Sequence, residues 1–157
     1  MNIRAVAPLA AAAIVATLYF AGGNIASADP VTKEDAVAMV QKAVAAIKSE
    51  GAEKAYTEIS NLAGPFVKGD LYIAVVGFDG TLLAYGADVG EHIGDNVMNL
   101  KESDGKEVVK ERIELAKKEP TFWQSYKFIN PLTKTIEPKQ MYCERLEETV
   151  VCGGVYQ

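Results

Sequence analysis

The chain has 157 residues with a formal net charge of −5, and 49% of the residues are hydrophobic. This length and composition fit a globular protein with one domain. The acidic charge disfavours binding to nucleic acid or to an anionic membrane surface. One histidine and two cysteines leave few candidates for a metal site.

Residues 1–28 have the three parts of a secretory signal peptide. Arg4 gives a positive start, residues 5–21 form an apolar run without acidic residues, and Ala26-Ser27-Ala28 has the form of a cleavage site. We predict cleavage before Asp29, which leaves one periplasmic or secreted domain with 15 basic and 21 acidic residues, a net charge of −6. The alternative is an uncleaved membrane anchor, although 17 apolar residues are at the short limit for spanning a bilayer.

Two helices are predicted within residues 29–64. Thr32 and Asp35 have the spacing of a capping box at the start of the first helix, and Gly51 ends it as a C-terminal cap. The second helix ends at Gly64-Pro65. The apolar stripes at helical spacing are Val37, Val40, Val44 and Ile47 on the first helix and Ala55, Ile59 and Leu62 on the second.

A β-hairpin is predicted after the helices. Residues 71–78 are nearly all apolar and rich in β-branched side chains, which is typical of a central strand buried on both faces. Asp79-Gly80 is a strong signal for a two-residue turn, so residues 81–85 return as the second strand.

The next segment, residues 86–103, is polar and rich in glycine. A connection of this length in a small domain is usually functional, so we predict a cover over a binding site. His92 lies in this segment, and we expect a solvated or capping role for it rather than ligand contact. Asp104 and Glu107 then predict the capping box of a third helix, which Pro120 ends. Its inward-facing residues are Val109, Ile113 and Ala116.

Two strands rich in aromatic residues are predicted next. Residues 122–129 alternate with a period of two, Asn130-Pro131 provides a turn, and residues 135–146 form the returning strand. Trp123 and Tyr142 combine a flat apolar body with a polar tip, which suits a pocket wall. The alternative is that these two side chains are ordinary packing residues of the sheet.

Cys143 and Cys152 are predicted to form a disulfide. If the chain forms a hairpin around Glu147-Glu148, the pairing of Leu146 with Thr149 places the two cysteines directly opposite each other. An exported protein meets an oxidising compartment, which favours this bond over two free thiols.

The order of these elements predicts an α+β domain in residues 29–157, with one antiparallel sheet of about five strands and helices packed on it. No nucleophile–base pair, carboxylate dyad or phosphate-binding loop is recognisable in the sequence. The residues alone therefore predict an exported domain that has an aromatic face. They also predict that this domain is not an enzyme. They imply no cofactor and no metal.

A series of short motifs runs in order through residues 29–157. After the N-terminal helix they are residues 69–72 (Gly-Asp-Leu-Tyr), 78–84, Val89-Gly90, 93–96, Leu100-Lys101, 103–106, Trp123 with Tyr126, Asn130-Pro131, Glu137-Pro138-Lys139 with Tyr142, and 153–156. This set resembles the single Cache domain of type 2, an extracytoplasmic sensor module. The resemblance implies a PAS-like fold, in which a long N-terminal helix lies beside a central antiparallel sheet. The sequence departs from the family at Tyr85, where such domains often carry histidine.

Domains of this kind bind small molecules, often short organic acids, so the resemblance implies a short carboxylate as the ligand. A carboxylate needs local positive charge or several donors inside a mostly apolar cavity. The ligand-binding residues that the resemblance implies are Lys101 and Lys139 as cations, Tyr72, Tyr85, Tyr126 and Tyr142 as hydroxyl donors, and Trp123 as a wall. Trp123 and Tyr126 differ in strand parity, so a bulge would be needed for both to face one pocket.

The predicted function is that of a periplasmic ligand-binding sensor. We expect no second transmembrane segment and no signalling domain after Gln157, so signal transduction would pass through a separate membrane-bound partner. Two alternatives stay open. One is a protein–protein interaction module with a vestigial pocket, and the other is a membrane-tethered sensor that keeps residues 1–28.

Overall fold

Three helices and six strands make up the computed structural model, which describes residues 30–88, 90–102 and 104–157. The helices are α1 (Lys33–Glu50), α2 (Ala52–Ile59) and α3 (Val108–Lys118). The strands are β1 (Val67–Lys68), β2 (Leu71–Gly77), β3 (Leu82–Tyr85), β4 (Thr121–Ile129), β5 (Ile136–Leu146) and β6 (Thr149–Tyr156). The predicted signal peptide and its cleavage site lie outside the described residues.

All strand pairs are antiparallel, and the sheet has the order β1-β2-β6-β5-β4. β6 pairs along one side of β2, while the short strands β1 and β3 pair with different parts of β2 and share its other side. The predicted α+β class and the antiparallel sheet of about five strands are therefore confirmed.

Helix α1 begins with the predicted capping box. The backbone N–H of Thr32 donates to Asp35 Oδ2 at 3.0 Å, and the N–H of Asp35 donates to Thr32 Oγ1 at 3.2 Å. The buried face differs from the predicted stripe, because the residues that point at the sheet are Ala36, Val40, Ala43 and Val44. Leu62, predicted to be buried, is 44% exposed because α2 ends at Ile59, three residues before it.

Strand β2 lies between two packed layers, as its apolar sequence predicts, and all seven of its residues are buried. Ile73 and Val75 belong to the cluster that contacts α1 and α2, whereas Val76 belongs to the cluster that contacts α3. Alternate side chains thus serve opposite faces of the sheet. The chain turns back after β2 as predicted, but not through a two-residue turn at Asp79-Gly80. The N–H of Gly80 donates to the carbonyl of Gly77 at 2.9 Å, so Phe78 and Asp79 are the central residues, and Gly80 follows them at a φ of +88°.

The predicted capping box of the third helix is wrong. Helix α3 begins at Val108, and Glu107 precedes it without a capping hydrogen bond from its side chain. Asp104 Oδ1 instead accepts from the N–H of Lys106 at 3.1 Å, in a local turn. Gly105 has a φ of +87°, which a helix cannot accommodate. The cover that precedes α3 therefore extends beyond the predicted end at residue 103.

The predicted disulfide between Cys143 and Cys152 is confirmed. Leu146 pairs with Thr149 across the tight turn, and the two cysteines are directly opposite and bonded. Glu147 adopts a positive φ of 53° in that turn. The bond joins β5 to β6 on the side of the sheet that faces α3.

Candidate functional site

A cavity of about 230 Å³ lies between the sheet and the cover formed by α3 and residues 90–102. Most of its wall is aliphatic or aromatic, with few polar groups. The described lining residues are Tyr72, Ala74, Val76, Leu82, Tyr85, His92, Val97, Leu100, Val108, Val109, Arg112, Tyr126, Phe128 and Met141. A concave apolar site with a few polar groups is the usual form of a small-molecule site.

Arg112 is the cation of this cavity. Helix α3 buries it to 5% exposure on the same face as Val108, Val109 and Ala116. Its Cζ lies 5.4 Å from the ring centroid of Tyr126, which places the guanidinium over an aromatic face. An arginine keeps its positive charge even when buried, so the cavity contains a fixed cation.

The side chain of Arg112 is held by Gln124, a buried residue of β4. Arg112 Nε donates to Gln124 Oε1 at 2.9 Å. The amide of Gln124 donates in turn to the carbonyl of Val108 at 2.9 Å and to Glu111 Oε2 at 2.6 Å. These contacts fix the orientation of the guanidinium through its Nε.

The guanidinium of Arg112 has one nitrogen that is unpaired among the described residues. Its Nη2 is buried and has no hydrogen-bond partner among the described residues, the one such side-chain atom in that part of the chain. No described carboxylate lies within 4.0 Å of this guanidinium. A buried donor on a cation costs free energy unless it is paired, and an anion is the kind of group that can pair with it.

Two tyrosines, Tyr72 and Tyr85, form another part of the wall. Their rings pack edge to face with centroids 5.3 Å apart, and their hydroxyl oxygens are 3.5 Å apart. The Tyr72 hydroxyl is also 3.3 Å from that of Tyr156, which donates to the carbonyl of Ile129 at 2.8 Å. Burial raises the pKa of Tyr72 and of Tyr85, so both stay neutral at physiological pH.

Lys139 lies beside Tyr72 and outside the described cavity lining. It is 1% exposed, and its Nζ is 3.8 Å from the ring centroid of Tyr72 and 3.3 Å from the Tyr156 hydroxyl. Burial holds the pKa of Lys139 well below its usual value, and the charge of Arg112 lowers it further. Gly154 allows close packing beside this side chain, because a Cβ there would be 2.7 Å from the backbone oxygen of Gln140 and 3.0 Å from Lys139 Cε.

His92 lines the cavity from the cover. Its side chain is 61% exposed, and its Nδ1 is 3.3 Å from Asp95 Oδ2. A residue that both lines the cavity and faces solvent marks the opening. The expected solvated role of His92 fits this exposure, although the residue also lies where a ligand would pass.

The structure divides the predicted site residues between two faces of the sheet. Tyr72, Tyr85 and Tyr126 line the cavity. Trp123 and Tyr142 pair with each other on the face that packs against α1, with ring centroids 5.3 Å apart. Of the two predicted cations, Lys139 is buried beside Tyr72, and Lys101 is exposed in the cover. The parity rule that separated Trp123 from Tyr126 therefore holds without a bulge.

Arg112 and Gln124 are the residues that the sequence interpretation missed. Arg112 lies four residues after Val108 and four before Ala116, inside the apolar stripe of α3. A cation at a stripe position is the signal that could have identified it. Gln124 alternates with Trp123 on β4, and its burial depends on which face the strand turns to the sheet core.

Among the described residues, no group of three His, Cys, Asp or Glu side chains could hold a metal ion. Within the same residues, no helix is long and apolar enough to cross a membrane.

Comparison with solved structures identifies the fold. A methyl-accepting chemotaxis protein from Vibrio parahaemolyticus RIMD 2210633 has a TM-score of 0.66 and 21% identity, over 79% of this chain and 87% of that one. A Cache chemosensory domain, described for its carboxylic acid recognition, has a TM-score of 0.65 and 18% identity, over 78% and 91%. The periplasmic sensor domain of a chemotaxis protein has a TM-score of 0.62 and 17% identity, over 78% and 88%.

The sequence identities to these three structures are low, so they establish only the fold. The family of the chain is established by a match to a family model. No curated protein is significantly similar to the chain. The Cache domain model, however, matches residues 32–154, which is most of the chain. Cache domains are ligand-binding sensor modules. The chain belongs to the Cache domain family, and the predicted resemblance is confirmed.

Proposed function

We propose that this Cache domain is an exported sensor that binds a small carboxylate in the cavity beneath α3. The carboxylate pairs with Arg112, and the lining tyrosines Tyr72, Tyr85 and Tyr126 shape the site around it. The observation that carries the proposal is the buried Nη2 of Arg112, which has no partner among the described residues. The carboxylic acid recognition described for one structural relative agrees with this choice.

The energetics favour an anion over a neutral ligand. The guanidinium of Arg112 is nearly fully buried, and it has no described carboxylate within ion-pair distance. A hydrogen bond between a charged donor and a charged acceptor is stronger than one between neutral groups, and a dry site strengthens it further. Because Gln124 already orients the guanidinium, a ligand would pay little entropy to order it.

The compartment and the partner are part of the same proposal. The Cys143–Cys152 disulfide is the kind of bond that persists in an oxidising compartment such as the periplasm. The signal-peptide pattern in residues 1–28 supports export. Occupancy of the cavity would be reported to a membrane-bound signalling protein.

The test is calorimetric titration of the exported protein with a panel of monocarboxylates, dicarboxylates, amino acids and amines. We expect an acid to bind, and we expect Arg112→Met to weaken its binding at least 100-fold, the effect of losing a buried charged partner. The matched control is Arg145→Met, because Arg145 is exposed and contacts Phe78, outside the cavity. Equal affinities for the Arg112→Met variant and the parent protein would refute the proposal.

A further inference from the structure

We infer that the ligand of this cavity is a monocarboxylate with a ring-sized apolar body, and not a two- or three-carbon acid, a dicarboxylate or an amino acid. The inference rests on the proposed function, because it assigns the carboxylate to the same Arg112. It adds the chemical class of the rest of the ligand. That class follows from the volume, the walls and the donors of the cavity.

The volume exceeds what a small acid can fill. A cavity of about 150 Å³ lined by aliphatic and aromatic side chains is large enough to bind benzene. The present cavity has about 230 Å³, which leaves room for a ring and for a carboxylate beside it. A two- or three-carbon acid would leave most of the apolar wall in contact with water, and that wall would contribute nothing to affinity.

The walls suit a flat apolar group. Tyr126 and Phe128 lie on the same face of β4 with ring centroids 5.9 Å apart. Met141 of β5 also lines the cavity, with its sulfur 3.5 Å from the Tyr126 hydroxyl. Aromatic rings pack favourably on rings and on methionine sulfur. Arg112 lies over the Tyr126 ring, so a ligand whose carboxylate meets Arg112 places its body next to an aromatic surface.

The donors allow one carboxylate. Tyr156 gives its hydroxyl hydrogen to the carbonyl of Ile129, so its oxygen is left to accept from Tyr72, 3.3 Å away. Tyr72 then has no hydrogen left for a second carboxylate, and Arg112 is the one arginine or lysine among the described lining residues. Near the opening, the carboxylate of Asp95 beside His92 repels an anion.

The charges exclude an ammonium group. None of the described lining residues is an aspartate or a glutamate, so an amino acid would bury its ammonium without a counterion. The fixed charge of Arg112 would also repel it. An amino acid should therefore bind much more weakly than the acid that lacks only its amino group.

Calorimetric titration of the exported protein with four matched probes tests the inference. The probes are 3-phenylpropionate, propionate, phenylalanine and 3-phenylpropanol. We expect 3-phenylpropionate to bind at least ~30-fold more tightly than propionate, since each buried methylene contributes about fourfold. Phenylalanine, which adds an ammonium, and 3-phenylpropanol, which lacks the carboxylate, should each bind at least ~100-fold more weakly than 3-phenylpropionate.

The outcomes separate this inference from the proposed function. If propionate or phenylalanine binds as tightly as 3-phenylpropionate, the inference is overturned and the carboxylate site at Arg112 stands. If 3-phenylpropanol binds as tightly as the acids, or if no acid binds, the proposed function itself is overturned.

A cavity-filling variant provides the second measurement. Ala74 is buried in β2 and lines the cavity, so Ala74→Leu should weaken 3-phenylpropionate at least ~10-fold and leave propionate unchanged. Val108→Leu, at the start of α3, makes the same test if the first variant does not fold. An unchanged affinity for 3-phenylpropionate in a folded variant would show that its ring lies elsewhere, against the inference.

Discussion

The two faces of the sheet use the same strands but are packed in different ways. On one face, α1 and α2 lie against residues such as Ile73 and Val75, and the cluster there is closed by two regular helices. On the other face, a short helix and the irregular segments 90–102 and 104–107 lie over Val76, and the cavity remains between them and the sheet. The first face can be called the closed face and the second the cavity face.

The difference follows from what covers each face. Two adjacent helices present continuous apolar stripes, which interdigitate with the strands at the density of a protein interior. The cover of the cavity face contains glycines at positive φ, including Gly90, Gly94 and Gly105, and so it cannot form one straight stripe. A binding site therefore forms where regular packing ends.

The largest expected effect compares two adjacent valines of β2. Val75 is fully buried on the closed face, and Val76 is 3% exposed on the cavity face. We expect Val75→Ala to lower the free energy of unfolding by about 3 kcal/mol, the sum of lost transfer energy and a new void. Val76→Ala should cost about 1.5 kcal/mol, because it enlarges a space that already exists. Urea denaturation measures both, and equal costs would contradict the distinction between the faces.

Removal of the disulfide tests whether the closed face and the cavity face unfold together. Cys143→Ala combined with Cys152→Ala should lower the free energy of unfolding by ~2.5 kcal/mol, since the bond closes a loop with a sequence separation of 9. Reduction of the parent protein should give the same loss in urea denaturation. Reduction of the double variant is the control and should change nothing. A loss confined to one probe, with spectroscopic transitions that no longer coincide, would mean that the faces unfold separately.

The pH dependence of stability tests the buried amine of Lys139. The folded pKa of Lys139 lies well below that of the unfolded chain because of burial. Between those two pKa values the unfolded state binds more protons, so the free energy of unfolding rises with pH, by at most ~1.4 kcal/mol per pH unit. The contribution of Lys139 to stability is complete above its pKa in the unfolded chain, about 10.4. It is lost as the pH falls through the pKa of Lys139 in the folded protein.

The measurement is urea denaturation between pH 7 and pH 9.5, in which Lys139→Met removes this slope and serves as the reference. Tyr72 has a raised pKa and lowers stability as the pH rises above about 10, so the range stays below that value. Parallel pH profiles for the parent protein and the variant would show that Lys139 is charged in the fold.

The smallest expected effect concerns Trp123, the predicted pocket wall. Trp123 is 41% exposed on the closed face, where Lys33 Nζ lies 5.3 Å from its ring centroid. Trp123→Ala should lower stability by less than about 1 kcal/mol and leave ligand affinity unchanged. Phe128→Ala is the matched change on the cavity face of the same strand, and calorimetry should show weaker binding for it alone. If Trp123→Ala also weakened binding, the ligand would contact the closed face, and the proposed site on the cavity face would be wrong.

Much of the fold could be predicted from local patterns. The capping box at Thr32 and Asp35, the place where the chain turns back after β2, and the disulfide pairing all depend on residues close in sequence or on a single hairpin register. Period-two and period-3.6 patterns identified most strands and helices in order. The Cache resemblance then supplied the PAS-like arrangement that periodicity alone does not give.

The site was predicted less completely, because it depends on which face each strand presents. The alternation of β4 separates Trp123 from Tyr126, but it does not say which of them faces α3. Arg112 was missed because it lies within an apolar helix stripe, where a cation has no local signal for its partner Gln124. The start of α3 was misplaced because Asp104 caps a local turn instead of a helix. The positive φ of Gly105 is incompatible with a helix at that point.

The disulfide also affects how strands β5 and β6 reach their register. A slip of β5 by one residue along β6 would turn Met141 away from the cavity and bring Tyr142 into it. With Cys143 bonded to Cys152, a β5–β6 pair that opens by a local fluctuation can close again in one alignment only. Before oxidation, hydrogen bonds and packing alone select that alignment. After oxidation, the side of the sheet that forms the cavity is determined covalently.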